Sequence, residues 1–186
     1  MSPCFKTALL FLAVLIPLNC LSDQDIASTL AIQGSVQKPG QWSVEQLKEQ
    51  FAGQIQEVKF RGGADYSDKI GTGIPLLSVI KAAEPRVEKE TKWTRKDEMH
   101  RSMVFLVILE ASDSYQIFFT LPELMPEFGD DQACLIWDVD GIPLTGKEAP
   151  LRLVFSTDKW PDRGIYGIVK ITLLDCNRLA DRLKAK

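Results

Sequence analysis

The sequence predicts an α+β fold in which many short strands accompany a few short helices. Runs of about four to eight apolar or alternating residues recur between turn residues, which is the pattern of strands. Helical spacing occurs only in short stretches, and strands and helices do not alternate as a doubly wound parallel sheet would require. The length of 186 residues fits one such domain after a leader segment is removed.

The first 22 residues predict a signal peptide. Lys6 precedes an apolar run over residues 8–18, which is too short to span a bilayer and has the length of a signal-peptide core. Small residues precede the expected cleavage point, so that residues 23–186 would form the mature domain. Acylation of Cys20, which would produce a lipid-anchored protein, is the alternative. The sequence therefore predicts a periplasmic or secreted protein without a membrane span.

Seven strands are predicted from apolar or alternating runs bounded by turn signals. They span residues 29–36, 55–60, 103–109, 115–120, 133–137, 151–155 and 165–174. The run at 103–109 is continuously apolar, so we expect both of its faces to be covered.

Four short helical segments and two loops complete the prediction. Ser43 and Gln46 form a capping box that begins the first helix, and Pro75 suits the first turn of the second. The remaining helical segments are expected at residues 121–125 and 177–184. A polar loop is expected before Pro75, and the charged stretch 84–101 predicts a solvent-facing insertion.

Composition and cysteine usage exclude several classes of function. The net charge of −3 is spread without basic blocks, so nucleic-acid binding is not expected. The only histidine, His100, lies in the charged stretch, which argues against a metal site or a histidine-dependent triad. Outside the leader, Cys134 and Cys176 could form a disulfide in an oxidising compartment or remain two buried thiols.

A series of short motifs follows one another in a characteristic order. They lie at residues 34–40 (GSVQKPG), 58–63 (VKFRGG), 73–77 (GIPLL), 121–124 (LPEL), 137–144 (WDVDGIPL) and 149–152 (APLR). Over about residues 29–175 this order resembles the oxidoreductase molybdopterin-binding domain of the sulfite oxidase family. The resemblance implies a single-domain, mixed-sheet α+β fold around a pocket for an anionic pterin cofactor.

The resemblance also implies a set of site residues. Catalytic members have a molybdenum-ligating cysteine where this chain has Arg61, and a tyrosine where it has Trp137, so molybdenum and catalytic residues are not expected. Basic residues at two matching positions would hold the phosphate and the pterin edge, and two adjacent glycines permit close approach of a ligand. The predicted cofactor-binding residues are Arg61, Gly62, Gly63, Trp137, Arg152 and Lys170.

These residues lead to three functional hypotheses. The first is an exported, non-catalytic domain that binds molybdopterin, another small anion or a periplasmic partner protein. The second is an active molybdenum oxidoreductase with unusual ligation, and the third is an interaction module of an envelope redox or signalling assembly. The site prediction requires Arg61, Arg152 and Lys170 to converge on one cleft, with Trp160 as a candidate wall.

Overall fold

The computed structural model describes residues 29–63, 65–87, 98–129 and 132–177. The predicted signal peptide lies outside the described residues. So do most of the charged insertion and all but the first residue of the predicted C-terminal helix.

Fourteen regular elements make up the described chain. In order they are β1 (Thr29–Gly34), β2 (Gly40–Ser43), α1 (Val44–Gln50), β3 (Gln56–Arg61), β4 (Asp68–Pro75), α2 (Leu76–Ala82), α3 (Glu98–Ser102), β5 (Phe105–Ala111), β6 (Gln116–Thr120), β7 (Ala133–Ile136), β8 (Asp138–Val139), β9 (Ile142–Pro143), β10 (Arg152–Phe155) and β11 (Ile168–Asp175). Short 3₁₀ turns lie at Ala52–Gln54, Leu121–Leu124, Gly146–Glu148 and Pro161–Arg163.

Two sheets dominate the fold. One has five strands in the order β2-β1-β11-β5-β6, and the other has four in the order β10-β7-β4-β3. Only β1 and β11 pair in parallel, and the other ladders are antiparallel. The α+β class predicted from the sequence is therefore confirmed.

The two sheets share one apolar core, to which each contributes alternate residues of its strands. From the five-stranded sheet come Leu30, Ile32, Val107, Leu109, Ile171 and Leu173, and from the four-stranded sheet come Ile74, Leu135, Leu153 and Phe155. A second, smaller cluster lies on the opposite face of the four-stranded sheet and comprises Val58, Phe60, Cys134, Ile136 and Val154. We call this opposite face the outer face of that sheet.

All seven predicted strands are present, and so is the first helix. The capping box is complete, since the Gln46 N–H donates to Ser43 Oγ (3.3 Å) and the Ser43 N–H donates to Gln46 Oε1 (2.8 Å). The second helix follows Pro75 directly. Capping chemistry therefore predicted the start of the first helix, and the position of Pro75 indicated the start of the second.

The polar loop predicted before Pro75 is wrong, because residues 68–75 form β4. Two carboxylates hold its backbone: Asp138 Oδ1 accepts the Thr72 N–H, and Asp140 Oδ1 accepts the Ile70 N–H, each at 3.0 Å. Gly73 allows the neighbouring strand to approach closely, since a Cβ there would lie 2.2 Å from the Leu135 carbonyl oxygen. The glycines that suggested a loop are thus packing positions in a strand.

Two further expectations are corrected. Residues 40–43 form β2, an additional strand directly after the Lys38-Pro39-Gly40 turn. In β5, burial alternates along the strand, so that one face is fully buried and the other only half-buried. The prediction that both faces of this strand are covered is therefore wrong.

Candidate anion-binding site

Arg152 is a buried cation on the outer face of the four-stranded sheet. Its side chain alternates along β10 with the core residue Leu153, and the residue is only 6% exposed. The guanidinium carbon lies 4.9 Å from the ring centroid of Phe60 and 4.3 Å from that of Tyr166. The positive charge is therefore held between two aromatic rings by cation–π interactions.

The hydrogen bonding of Arg152 is incomplete. Its Nε is buried and has no hydrogen-bond partner, and no carboxylate in the described part of the chain forms an ion pair with it. A buried donor without a partner costs about 1–3 kcal/mol, and buried charges are normally paired. An anion in the cleft beside Arg152 that accepted from the guanidinium would offset that cost.

A narrow cleft opens at Arg152. Its volume is about 10 Å³, and its walls include Phe60, Arg61, Asp158, Trp160 and Gly164. This space admits about one water molecule. A wider groove of about 390 Å³ runs along β3 and shares Phe60, Arg61 and Asp158 with the cleft.

Arg61 stands at the mouth of the cleft, at the end of β3. Its Nη1 donates to the Tyr66 carbonyl (2.8 Å), its Nε lies 3.5 Å from Asp68 Oδ1, and its side chain is 48% exposed. The hydrogen bond from Lys59, which lies 2.8 Å away, lowers the pKa of Asp68. Arg61 therefore shares its charge with an ionised carboxylate and offers less to an incoming anion than Arg152 does.

The two predicted glycines lie beside this cluster without positive φ values. The Gly62 N–H donates to the Ser67 carbonyl (2.7 Å). A Cβ at Gly63 would lie 2.7 Å from the hydroxyl oxygen of Tyr166. The close approach expected for a ligand at Gly63 is thus made by the protein's own Tyr166, the residue that stacks on Arg152.

The far wall combines an ion pair with exposed aromatic rings. Asp158 accepts from Arg163 through two contacts, one from Nε at 2.7 Å and one from Nη2, and the guanidinium carbon of Arg163 lies 4.2 Å from the Phe155 ring centroid. Trp160 is 64% exposed and meets Tyr66 edge to face at 5.5 Å. Asp158 is therefore largely neutralised by Arg163, and Trp160 does line the cleft.

Lys170 does not join Arg61 and Arg152. It lies within β11 on the side opposite the core residue Ile171, which places it on the outer surface of the five-stranded sheet. Its Nζ lies 2.6 Å from Glu110 Oε1. Hydrogen bonds from Lys170 and then Gln116 lower the pKa of Glu110. The two basic residues lie on opposite faces of the domain, so the expected convergence holds for Arg61 and Arg152 and not for Lys170.

Trp137 also lies apart from the cleft. It is buried in the core between the sheets, and its ring is contacted by Lys48 Nζ at 5.0 Å from the centroid. Arg152 pairs with Ile136 on the outer face, so Trp137, the next residue, faces the other way.

Sequence reasoning missed the two residues that hold Arg152. Phe60 and Val58 lie on the same face of β3, where they alternate with exposed Lys59 and are buried on the outer face, but this alternation predicts only burial. Tyr166 lies between Gly164 and Gly167, just before β11. The only signal in the sequence that Tyr166 has a role beyond core packing was the pair of glycines that flank it.

In the part of the chain that the structure describes, no cysteine lines the cleft. Among the described residues, no group of three His, Cys, Asp or Glu side chains could hold a metal ion. Cys134 and Cys176 are both free thiols, which resolves the open disulfide question in favour of unpaired cysteines. Burial raises the pKa of Cys134, whose Sγ accepts a hydrogen bond from Gln56 Nε2 (3.2 Å).

Comparisons with known proteins give little guidance. A scan of family models and a search of curated proteins both find no match. Among solved structures, the sulfane dehydrogenase SoxCD from Paracoccus pantotrophus is similar at 18% identity, over 79% of this chain and 38% of that chain, with a TM-score of 0.49. Likeness at this level establishes no shared function. Separately, no helix in the described ranges is long and apolar enough to cross a bilayer.

Proposed function

We propose that this chain is a non-catalytic binding domain whose Arg152 cleft receives one anionic group, such as a phosphate or carboxylate. The observation that carries the proposal is Arg152 itself, which is buried between two rings with its Nε unpartnered. A desolvated, incompletely bonded cation carries a cost in stability. Binding of an anion explains that cost, because a charge-assisted hydrogen bond to a guanidinium is strong in a buried setting.

The shape of the site supports a small ligand with a distinct anionic head. The cleft of about 10 Å³ has room for one oxygen of the anionic head, while the adjoining groove of about 390 Å³ has the size of a small-molecule site. Trp160 and Tyr66, which are exposed at the rim, offer stacking surfaces to the body of the ligand. The recognition chemistry is therefore an anion next to a planar body that stacks on an exposed ring.

A complete molybdopterin does not fit the residues of the cleft. The volume at Arg152 is too small for a pterin, and the predicted partners Lys170 and Trp137 lie elsewhere. We propose that the domain is a distant form of the sulfite-oxidase-type fold, which the motif order over residues 29–175 supports. In this form the cleft binds only an anionic head. With residues 1–22 as a signal peptide, the ligand would be periplasmic or extracellular.

Isothermal titration calorimetry with inorganic phosphate and with sulfate, at constant ionic strength, tests the proposal. Arg152→Met should abolish binding, and the matched control Lys170→Met should leave it unchanged, because Lys170 lies on the opposite face. Equal loss in both variants, or no binding to the unaltered chain in the millimolar range, would contradict the proposal. Arg152→Lys provides a second variant that keeps the charge but lacks the planar fork.

Elemental analysis of the natively exported protein separates the two rival hypotheses. A molybdenum oxidoreductase with unusual ligation would carry stoichiometric molybdenum. An interaction module would carry neither metal nor anion, and its Arg152→Met variant would retain every native partner contact. The proposed binding domain would be metal-free and would respond to phosphate or sulfate through Arg152.

A further inference from the structure

Strand β6 forms an open edge of the five-stranded sheet. It pairs with β5 on one side, and within the described ranges no strand covers its other side. Its sequence, Gln-Ile-Phe-Phe-Thr, contains no charged residue and no proline. Edge strands of native sheets normally carry charged residues or proline, which prevent pairing with another chain. This edge lacks that protection.

The backbone groups of Phe118 point to the open side. The Ala111 N–H donates to the Tyr115 carbonyl (2.9 Å), and opposed pairs in an antiparallel ladder alternate between bonded and non-bonded. Tyr115 is opposite Ala111 in a hydrogen-bonded pair, so Phe118, three residues further along the chain, belongs to a pair that is not hydrogen-bonded to β5. Its N–H and C=O face outward, whereas the Thr120 N–H is already bonded to Glu123 Oε1 (2.9 Å).

The side chain of Phe118 is also unusually exposed. It is 71% exposed on the outer surface of the sheet, and its cross-strand neighbour is the half-buried Ile108. The nearest charge on that neighbouring strand, Glu110, is paired with Lys170 and accepts from Gln116. Strand β6 itself is thus uncharged, and Glu110 beside it is neutralised, while Glu123, Asp162 and Arg163 line the same groove as β6.

The other edges of the two sheets are protected. Edge strand β3 carries the charged residues Glu57, Lys59 and Arg61. Edge strand β10 is bridged by Ile165, whose carbonyl accepts the Leu153 N–H (2.9 Å). Edge strand β2 has only four residues and leads directly into α1. Among the described edges, β6 alone combines length, neutrality and an outward aromatic residue.

We propose that β6 pairs antiparallel with β6 of a second copy of this chain, about a twofold axis at Phe118. A second copy fits because Phe118 presents one donor and one acceptor, and antiparallel self-pairing satisfies both across the axis. The two Phe118 rings become direct cross-strand neighbours. Since the strand carries no charge, the register brings no like charges of β6 together, and the two five-stranded sheets become continuous.

Sedimentation equilibrium of the purified full-length protein, from about 1 µM to about 300 µM, tests this interface. The unaltered chain should form a dimer, and Phe118→Lys should weaken the dimer by roughly tenfold or more, because it places two charges opposite each other. Ile142→Lys is the matched control, since Ile142 is also 71% exposed but lies on β9. It should dimerise like the unaltered chain.

A second variant guards against a folding defect. Because the Phe118 N–H faces outward, Phe118→Pro removes an intermolecular donor while sparing the β5–β6 ladder. It should be monomeric with an unchanged circular dichroism spectrum. A chain that is monomeric throughout the concentration range, or a dimer that Phe118→Lys and Phe118→Pro leave intact, would overturn the proposal.

Discussion

The hydroxyl of Tyr166 occupies the space that a side chain at residue 63 would need. A Cβ at Gly63 would lie 2.7 Å from that oxygen, and the Tyr166 ring stacks on the Arg152 guanidinium. The loop after β3 and the approach to β11 are thereby coupled, and the buried cation depends on both.

Gly63→Ala should displace Tyr166 from Arg152. Because Gly63 has no positive φ value and the contacting atom is the far end of the Tyr166 side chain, the effect is local overpacking, with a loss of stability at the low end of about 1–3 kcal/mol. Urea denaturation should show this loss in Gly63→Ala and a partial recovery in Gly63→Ala/Tyr166→Phe, which lacks the clashing oxygen. Failure of the second substitution to restore any stability would contradict the contact.

Arg152→Met should not destabilise the anion-free protein. The substitution removes a cation–π contribution of about 0.5–2 kcal/mol. It also removes a desolvated charge and an unpartnered donor, and such replacements are often neutral or stabilising. We expect an equal or higher free energy of unfolding in urea, measured in an anion-poor buffer. A large destabilisation would show that Arg152 stabilises the fold and does not serve mainly to bind a ligand.

The Lys170–Glu110 pair should stabilise the fold at neutral pH and lose that effect in acid. The pKa of Glu110 is lowered by the hydrogen bonds from Lys170 and Gln116. Its stabilising contribution is therefore present above the unfolded pKa of about 4.3 and is lost as the pH falls through the lower folded value. Lys170→Met should flatten the loss of stability below pH ~4, as measured by thermal unfolding at several pH values. An unchanged acid profile would argue against the pair.

The two cysteines should behave as unequal free thiols. Cys134 is buried and Cys176 is half-buried, and burial raises the pKa of both, with Asp175 adding to the effect at Cys176. Iodoacetamide should modify Cys176 slowly at pH ~8 and Cys134 only after denaturation, because the thiolate is the reactive form. Intact mass spectrometry checks this, and a mass that corresponds to an intramolecular disulfide would contradict it.

Local signals predicted most of the fold. The capping box at Ser43 and the apolar runs located the first helix and all seven expected strands. Strand β4 was not predicted because Gly71 and Gly73 suggested a loop. In the structure each of these glycines lies in close contact with β7. Such contacts depend on which strands become neighbours, and local sequence does not encode that.

The site was predicted only in part. Alternation along a strand indicates which residues share a face, but it does not indicate which of the two sheets the strand belongs to. Arg152 and Lys170 each alternate with apolar residues, and both therefore looked equivalent in sequence. They lie on different sheets and on opposite faces. Phe60 and Tyr166 were missed because an aromatic residue at a buried position ordinarily indicates core packing.

Anion binding requires that Arg152 be available to an anion, and the Nε–H signal of this residue in a ¹H–¹⁵N NMR spectrum reports on that availability. The signal is assigned by its absence in Arg152→Lys, and inorganic phosphate is then titrated at constant ionic strength. We predict a saturable shift of the Arg152 signal that Lys170→Met leaves unchanged. A signal that stays fixed while phosphate reaches the millimolar range would contradict the proposed anion-binding function.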